Sequence, residues 1–110
     1  MLIRVFIGES DRWRHQPLSI AILERLRREG FAGATVFHGV AGFGARSHLH
    51  SAHLLRLSED LPVVIEIVDT EEHAARAVTL LDEMVDGGLV TMEKVKVVKY
   101  APGEKPIAKK

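Results

Sequence analysis

Two kinds of chemistry sit side by side in GVAGFGARSHLHSAH, residues Gly39 to His53. Gly39, Gly42 and Gly44 come first. Glycine reaches backbone angles that other residues avoid and leaves main-chain amides open to an anion. The pattern Gly-x-x-Gly-x-Gly could therefore frame a phosphate-bearing ligand. It is not a dinucleotide fingerprint, because no helix opens from it. Glycines at strand ends are also the ordinary residues of turns and bulges. His48, His50 and His53 follow. The spacing His48-x-His50 places two imidazoles on one side of an extended segment, and imidazole ligates zinc or copper. No Asp, Glu or Cys stands among them to complete a tetrahedral set, so exposed loop histidines are the simpler reading.

Arg12, Trp13, Arg14 and His15 form a basic-aromatic patch. It could stack on an adenine or grip an anion through a guanidinium fork. The simpler alternative is a Trp that anchors packing against the first helix or a neighbouring subunit. Glu66 interrupts an apolar run, as a buried acid of raised pKa would, or as the partner of Arg4 or a lysine of the last strand. His38 has the same two readings, and His73 reads as a solvated helix residue. His38 and Glu66 together would be the acid and base of a small-molecule isomerase. Their spacing does not require that, and no nucleophile–base–orienter set exists, so a non-enzymatic role is expected.

The bulk properties narrow the class further. A chain of 110 residues is one domain by length. Lys plus Arg and Asp plus Glu are both 15, so no net field draws it to nucleic acid. Zero net charge mildly favours association. The absence of cysteine excludes disulfides, thiolate metal sites and thiol nucleophiles. Apolar runs fall well short of the ~20 residues of a membrane span. MLIRVFIGES lacks a signal-peptide layout, and a cytoplasmic protein without membrane insertion is expected.

These residues need a scaffold, and the hydrophobic pattern supplies one. Leu2 to Gly8 alternates as a strand covered at least partly on both faces. Pro17 suits the first turn of a helix. Leu18, Ala21, Ile22 and Leu26 form its stripe, with Ile20 and Leu23 widening it. Gly30 ends that helix, and Phe31 can fold back on Leu26. Ala34 to Val40 is a second strand and Pro62 to Val68 a third, with Val63, Ile65 and Ile67 on one face. Asp69 with Glu72 makes a capping box, Thr70 being the alternative cap. Ala74, Ala77, Val78, Leu81 and Val85 are the second helix's stripe, and Gly87 and Gly88 stop it. Leu89 to Tyr100 reads as a last strand. The domain spans 1–100, and 101–110 is a polar tail.

The order strand, helix, strand, strand, helix, strand is an α+β ferredoxin-like βαββαβ sandwich, with an antiparallel sheet and both helices on one face. Leu2, Phe6, Val64 and Val68 then fall on the other face. An apolar sheet face invites association, and heterologous contacts close into rings such as a trimer.

The chain resembles the PII signal-transduction superfamily, and within it the uncharacterised PII-like proteins. The resemblance rests on Gly33-Ala34-Thr35-Val36, Gly42-Phe43-Gly44, the run Leu61 to Val68, and Asp86-Gly87-Gly88 leading into Lys96-Val97-Val98-Lys99. Gly8-Glu9-Ser10-Asp11-Arg12-Trp13 looks like the uncharacterised subgroup. The resemblance implies a homotrimer with a nucleotide site in each cleft between subunits. Gly42, Phe43, Gly44 and Arg46 of one subunit would meet Asp86, Gly87, Gly88 and Lys99 around a small anionic effector, an adenine nucleotide. No cofactor is required. The loop 39–60 would signal to a regulated partner such as a membrane transporter. Arg46 replaces the glutamine through which PII proteins bind magnesium and 2-oxoglutarate. Leu89 and Ala101 stand where PII proteins carry phosphate-binding basic residues. No tyrosine lies between Ala45 and Asp60, which excludes loop uridylylation and leaves Ser47 and Ser51 as modification points. A trimeric metal-binding protein using His48, His50 and His53 is the alternative.

Overall fold

The computed structural model describes residues 1–44 and 60–103. Its elements are β1 (Leu2–Gly8), β2 (Arg12–Trp13), β3 (Gln16–Pro17), α1 (Leu18–Arg28), β4 (Thr35–His38), β5 (Pro62–Val68), α2 (Glu71–Met84) and β6 (Leu89–Glu93). The four long strands form an antiparallel sheet in the order β4-β5-β1-β6. With both helices packed on one face, this is the expected ferredoxin-like architecture.

The period-two pattern explains the layers. Ile3, Val5 and Ile7 of β1 pair with Ile67, Ile65 and Val63 of β5, and all six are buried beneath the helices. Leu18, Ala21, Ile22 and Leu26 of α1 close this core from one side. Ala74, Ala77, Leu80, Leu81 and Met84 of α2 close it from the other. Burying a Leu or Ile side chain contributes about 1.5–3 kcal/mol, and this cluster is the main source of stability.

Several boundaries differ from expectation. Ile20 and Val78 are exposed, so the buried stripe of α1 is narrower and that of α2 runs through Leu80 and Met84. Val85 is the C-cap of α2 and only half-buried. Thr70, not Asp69, caps α2, its Oγ1 accepting from His73 N–H at 3.1 Å. Pro17 sits at the N-cap of α1 rather than in its first turn. The C-terminal end of α1 forms as expected. Gly30 has φ of +87°, and Phe31 N–H donates to Leu26 O at 3.1 Å, the Schellman arrangement.

The last strand ends at Glu93 rather than Tyr100 because Glu93 already pairs with Leu2, the first residue of β1. Beyond it the central strand offers no further partner. Val95, Val97, Val98 and Tyr100 consequently stand exposed.

Candidate functional site

One end of the sheet gathers most of the chemistry. β1 and β4 finish there, and β5 and β6 begin there: Gly8 pairs with Pro62, His38 with Val63, and Phe6 with Leu89. The segments after β1, after β4 and before β6 therefore all emerge at this end.

The glycines have distinct physical roles. Gly39 N–H donates to Pro62 O at 2.8 Å, carrying the β4–β5 ladder one residue onward. A Cβ on Gly39 or Gly42 would lie 2.8 or 2.9 Å from Pro62 Cγ, and Gly42 has φ of +155°. The chain thus folds tightly over the Pro62 ring. Gly88 is equally constrained, since a Cβ there would sit 2.6 Å from the carbonyl oxygen of Phe6. Gly44 is different: among the described residues, a Cβ there meets nothing within 4 Å. Phe43 beside it is 71% exposed.

Within one chain the predicted ligand residues do not converge. Gly42, Phe43 and Gly44 follow β4 at one edge of the sheet, while Asp86, Gly87 and Gly88 precede β6 at the other, with two strands between. Both groups nevertheless lie at the same end. Lys99 belongs to the segment that leaves the sheet at the opposite end, past Glu93. Arg46, Ser47, His48, His50, Ser51 and His53 lie outside the described residues. Among the described residues no three His, Cys, Asp or Glu side chains come together as a metal site.

The second segment at this end is ordered by carboxylates. Asp60 Oδ1 accepts from both Ser10 N–H at 3.0 Å and Ser10 Oγ–H at 2.8 Å. Asp11 Oδ2 accepts from Gly8 N–H at 3.0 Å. Glu9 approaches His38 Nδ1 at 3.9 Å. Arg12 to Pro17 then folds into a two-stranded hairpin, with Trp13 opposite Gln16. Its two turn residues, Arg14 and His15, have φ of +48° and +72°. The Arg14 guanidinium lies 5.0 Å from the Trp13 ring centroid, and Trp13 packs on the core. The packing role expected of Trp13 is therefore present. The hairpin itself was not legible, because Arg-His lacks the Asn-Gly signature of such a turn.

His38 and Glu66 do not share a site. Glu66 is bonded to Arg4, Nε to Oε2 at 2.9 Å, which is the salt-bridge reading. His38 sits three positions further along β4, beside Glu9. His73 is not a free helix residue: its ring stacks on Phe31 at 4.7 Å, and Nδ1 is 2.7 Å from Asp69 Oδ1. Asp69 also accepts from Ala32 N–H and Thr70 N–H, each at 2.8 Å. Burial pulls the Asp69 carboxyl upward, but these hydrogen bonds, first from Ala32, then from His73 and Thr70, outweigh it and hold the pKa below its ordinary value.

A groove of about 380 Å³ lies away from this end, lined by Arg25, Glu29, Arg76, Thr79, Leu80 and Glu83 of α1 and α2. Its arginines are neutralised in place, Arg25 by Glu29 at 3.2 Å and Glu83 at 3.8 Å, Arg76 by Glu29. The hydrogen bond from Arg25 holds the Glu29 carboxyl below its usual range. The groove is a helix-to-helix ion-pair network with no charge left over for a ligand.

Comparison with known proteins agrees with this architecture. The family model DUF190, described as an uncharacterised ACR, matches residues 1–97. The chain belongs to the DUF190 family. It is 37% identical over 99 residues to a UPF0166 protein of Aquifex aeolicus, covering 88% of this chain and 91% of that protein. It is 34% identical over 99 residues to UPF0166 protein MJ1524 of Methanocaldococcus jannaschii, covering 89% and 91%. A crystal structure of a candidate PII-like signaling protein from Thermus thermophilus superposes with a TM-score of 0.52 at 22% identity, over 82% of this chain and 78% of that one. The PII-like fold of this DUF190 protein is thereby shown. Among its described residues no helix is long and apolar enough to cross a membrane.

Proposed function

We propose that this DUF190 protein is a non-enzymatic regulator that binds an adenine nucleotide between copies of itself and signals through the loop 39–60. The observation that carries the reading is the placement of Gly42–Gly44 and Asp86–Gly88 at one end of the sheet but on opposite edges. β4 and β6 run in opposite directions. A second copy that extends the antiparallel pattern brings its Asp86–Gly88 segment beside the first copy's Gly42–Gly44. The site is then complete only in an assembly, a homotrimer on the reading favoured here.

Two surfaces support association. Phe37, Val64, Phe6 and Leu89 form a row across all four strands on the face away from the helices, and Phe37, Phe6 and Leu89 are exposed. Val97, Val98 and Tyr100 are exposed beyond β6. Both would be covered by neighbouring copies.

The test is a thermal-shift panel on chelator-treated protein with AMP, ADP and ATP in separate wells. A nucleotide at one hundred times its Kd stabilises the fold by about 2.7 kcal/mol, several degrees for a domain of this size. A shift that Gly44→Ala abolishes supports the cleft. No shift with any adenine nucleotide overturns the reading.

A further inference from the structure

We infer that the Arg12–Pro17 hairpin is an oxyanion-binding element, in which Arg14 and Arg12 take a phosphate-class group at the hairpin tip. This goes beyond the cleft between copies and stands on different residues.

The first observation is charge left without a partner. Arg4, Arg25 and Arg76 are all ion-paired. Arg27 and Arg28 lie in the last turn of α1, where they complement the helix dipole. Arg12 and Arg14 are exposed, and among the described residues neither meets a carboxylate. The nearby acids are turned elsewhere: Asp11 to Gly8 N–H, Asp60 to Ser10, Glu9 towards His38. The first turn of α1 carries no acid either.

The second observation is preorganisation. The Arg14 guanidinium rests over the Trp13 ring, and that ring is anchored on the core. That cation–π contact restrains the guanidinium while its N–H groups remain available to an anion. A group fixed before binding loses less entropy on binding.

The third observation is backbone strain. Both turn residues have positive φ, a conformation that Asn-Gly adopts at lower cost. Strained backbone persists only where the surrounding structure over-determines it, and it clusters at ligand sites. Here Trp13 pairing with Gln16 sets Arg14 and His15 in the turn.

Trp13 is the sole tryptophan of the chain, so its fluorescence reports on this hairpin. The experiment titrates the full-length protein with inorganic pyrophosphate and, separately, with ATP. Pyrophosphate is expected to change Trp13 emission saturably. In Arg14→Asn/His15→Gly the turn relaxes, so melting temperature should rise while affinity falls about tenfold or more. Arg12→Gln should weaken binding in the same direction. No saturable Trp13 response in the wild type overturns the inference. So does a turn variant that is more stable but binds pyrophosphate like the wild type. If ATP and pyrophosphate give the same response with the same variant losses, the hairpin is supported, and the tighter ligand identifies the source of the phosphate. No Trp13 response to pyrophosphate, together with ATP binding that ignores these variants, overturns the hairpin and spares the cleft. A pyrophosphate response with no adenine nucleotide binding supports the hairpin and overturns the nucleotide reading.

Discussion

Arg4 Nε donates to Glu66 Oε2 at 2.9 Å across the two central strands, in the middle of the sheet face turned away from α1 and α2. Glu93 adds a second carboxylate at 3.7 Å. The hydrogen bond from Arg4 to Glu66, then their mutual attraction, holds the arginine's protonated form more firmly than in water. The pair lies one row from Phe6 and Val64.

If a second copy covers this face, the ion pair is dehydrated on association and breaking it becomes costly. Glu66→Gln should raise the dissociation constant for self-association about tenfold or more, with little change in the denaturation midpoint of the dissociated chain. Phe6→Asp should abolish association. Sedimentation equilibrium over a range of concentrations reads both, and a wild type that stays monomeric rejects the prediction.

Asp69 predicts an acid limb in the stability curve. Its pKa is held below its ordinary value in the folded state, so the unfolded chain binds the proton more readily. The stabilisation is complete above the unfolded value and is lost as pH falls through the folded one. Asp69→Asn should cost about 1–3 kcal/mol at neutral pH, by urea denaturation, and this difference should shrink as the pH is lowered past the folded pKa.

The hairpin turn predicts an inexpensive stabilisation. Left-handed conformation costs a residue with a Cβ about 1–2 kcal/mol. Arg14→Asn/His15→Gly removes it at His15, lessens it at Arg14 because asparagine tolerates this conformation, and should raise the urea midpoint without altering the slope. A lower midpoint would mean that the Arg14–Trp13 contact outweighs the strain.

Gly44 and Gly88 should separate binding from folding. A Cβ at Gly88 collides with the Phe6 carbonyl, so Gly88→Ala should cost about 1–3 kcal/mol. A Cβ at Gly44 meets no described residue within 4 Å, and Gly44→Ala should leave stability within about 0.5 kcal/mol of wild type. Calorimetric denaturation checks both, and for Gly44→Ala any lost nucleotide response then belongs to the site.

The sheet and helices were legible because burial imposes its period directly. Ile3, Val5 and Ile7 alternate in the sequence for the same reason that they face the helices in the fold. Val78 misled because a helix stripe can drift, and only the packed α2 shows that Leu80 and Met84 take its place. The hairpin at Arg12 escaped because its strand residues pair only two by two and its turn carries Arg-His. The pattern runs on to Tyr100 because Val95 and Val97 continue the alternation after β1 has run out, whereas β6 ends at Glu93. At the candidate site, the pattern marked the glycines but not their division of labour. Gly39, Gly42 and Gly88 are set by Pro62 and Phe6, contacts that no local spacing reveals.

The central position of β1 also dictates the order of events as the chain is made. It precedes every other described element, yet both its ladder partners, β5 and β6, come later than α1 and β4. Even its nearest cross-strand pair, Gly8 with Pro62, closes a loop that contains the first helix and an edge strand. Sequence-distant pairing of this kind slows folding, since loop closure precedes the contacts that reward it. A chain emerging from the ribosome therefore presents the apolar residues of β1 without a ladder partner until β5 has followed.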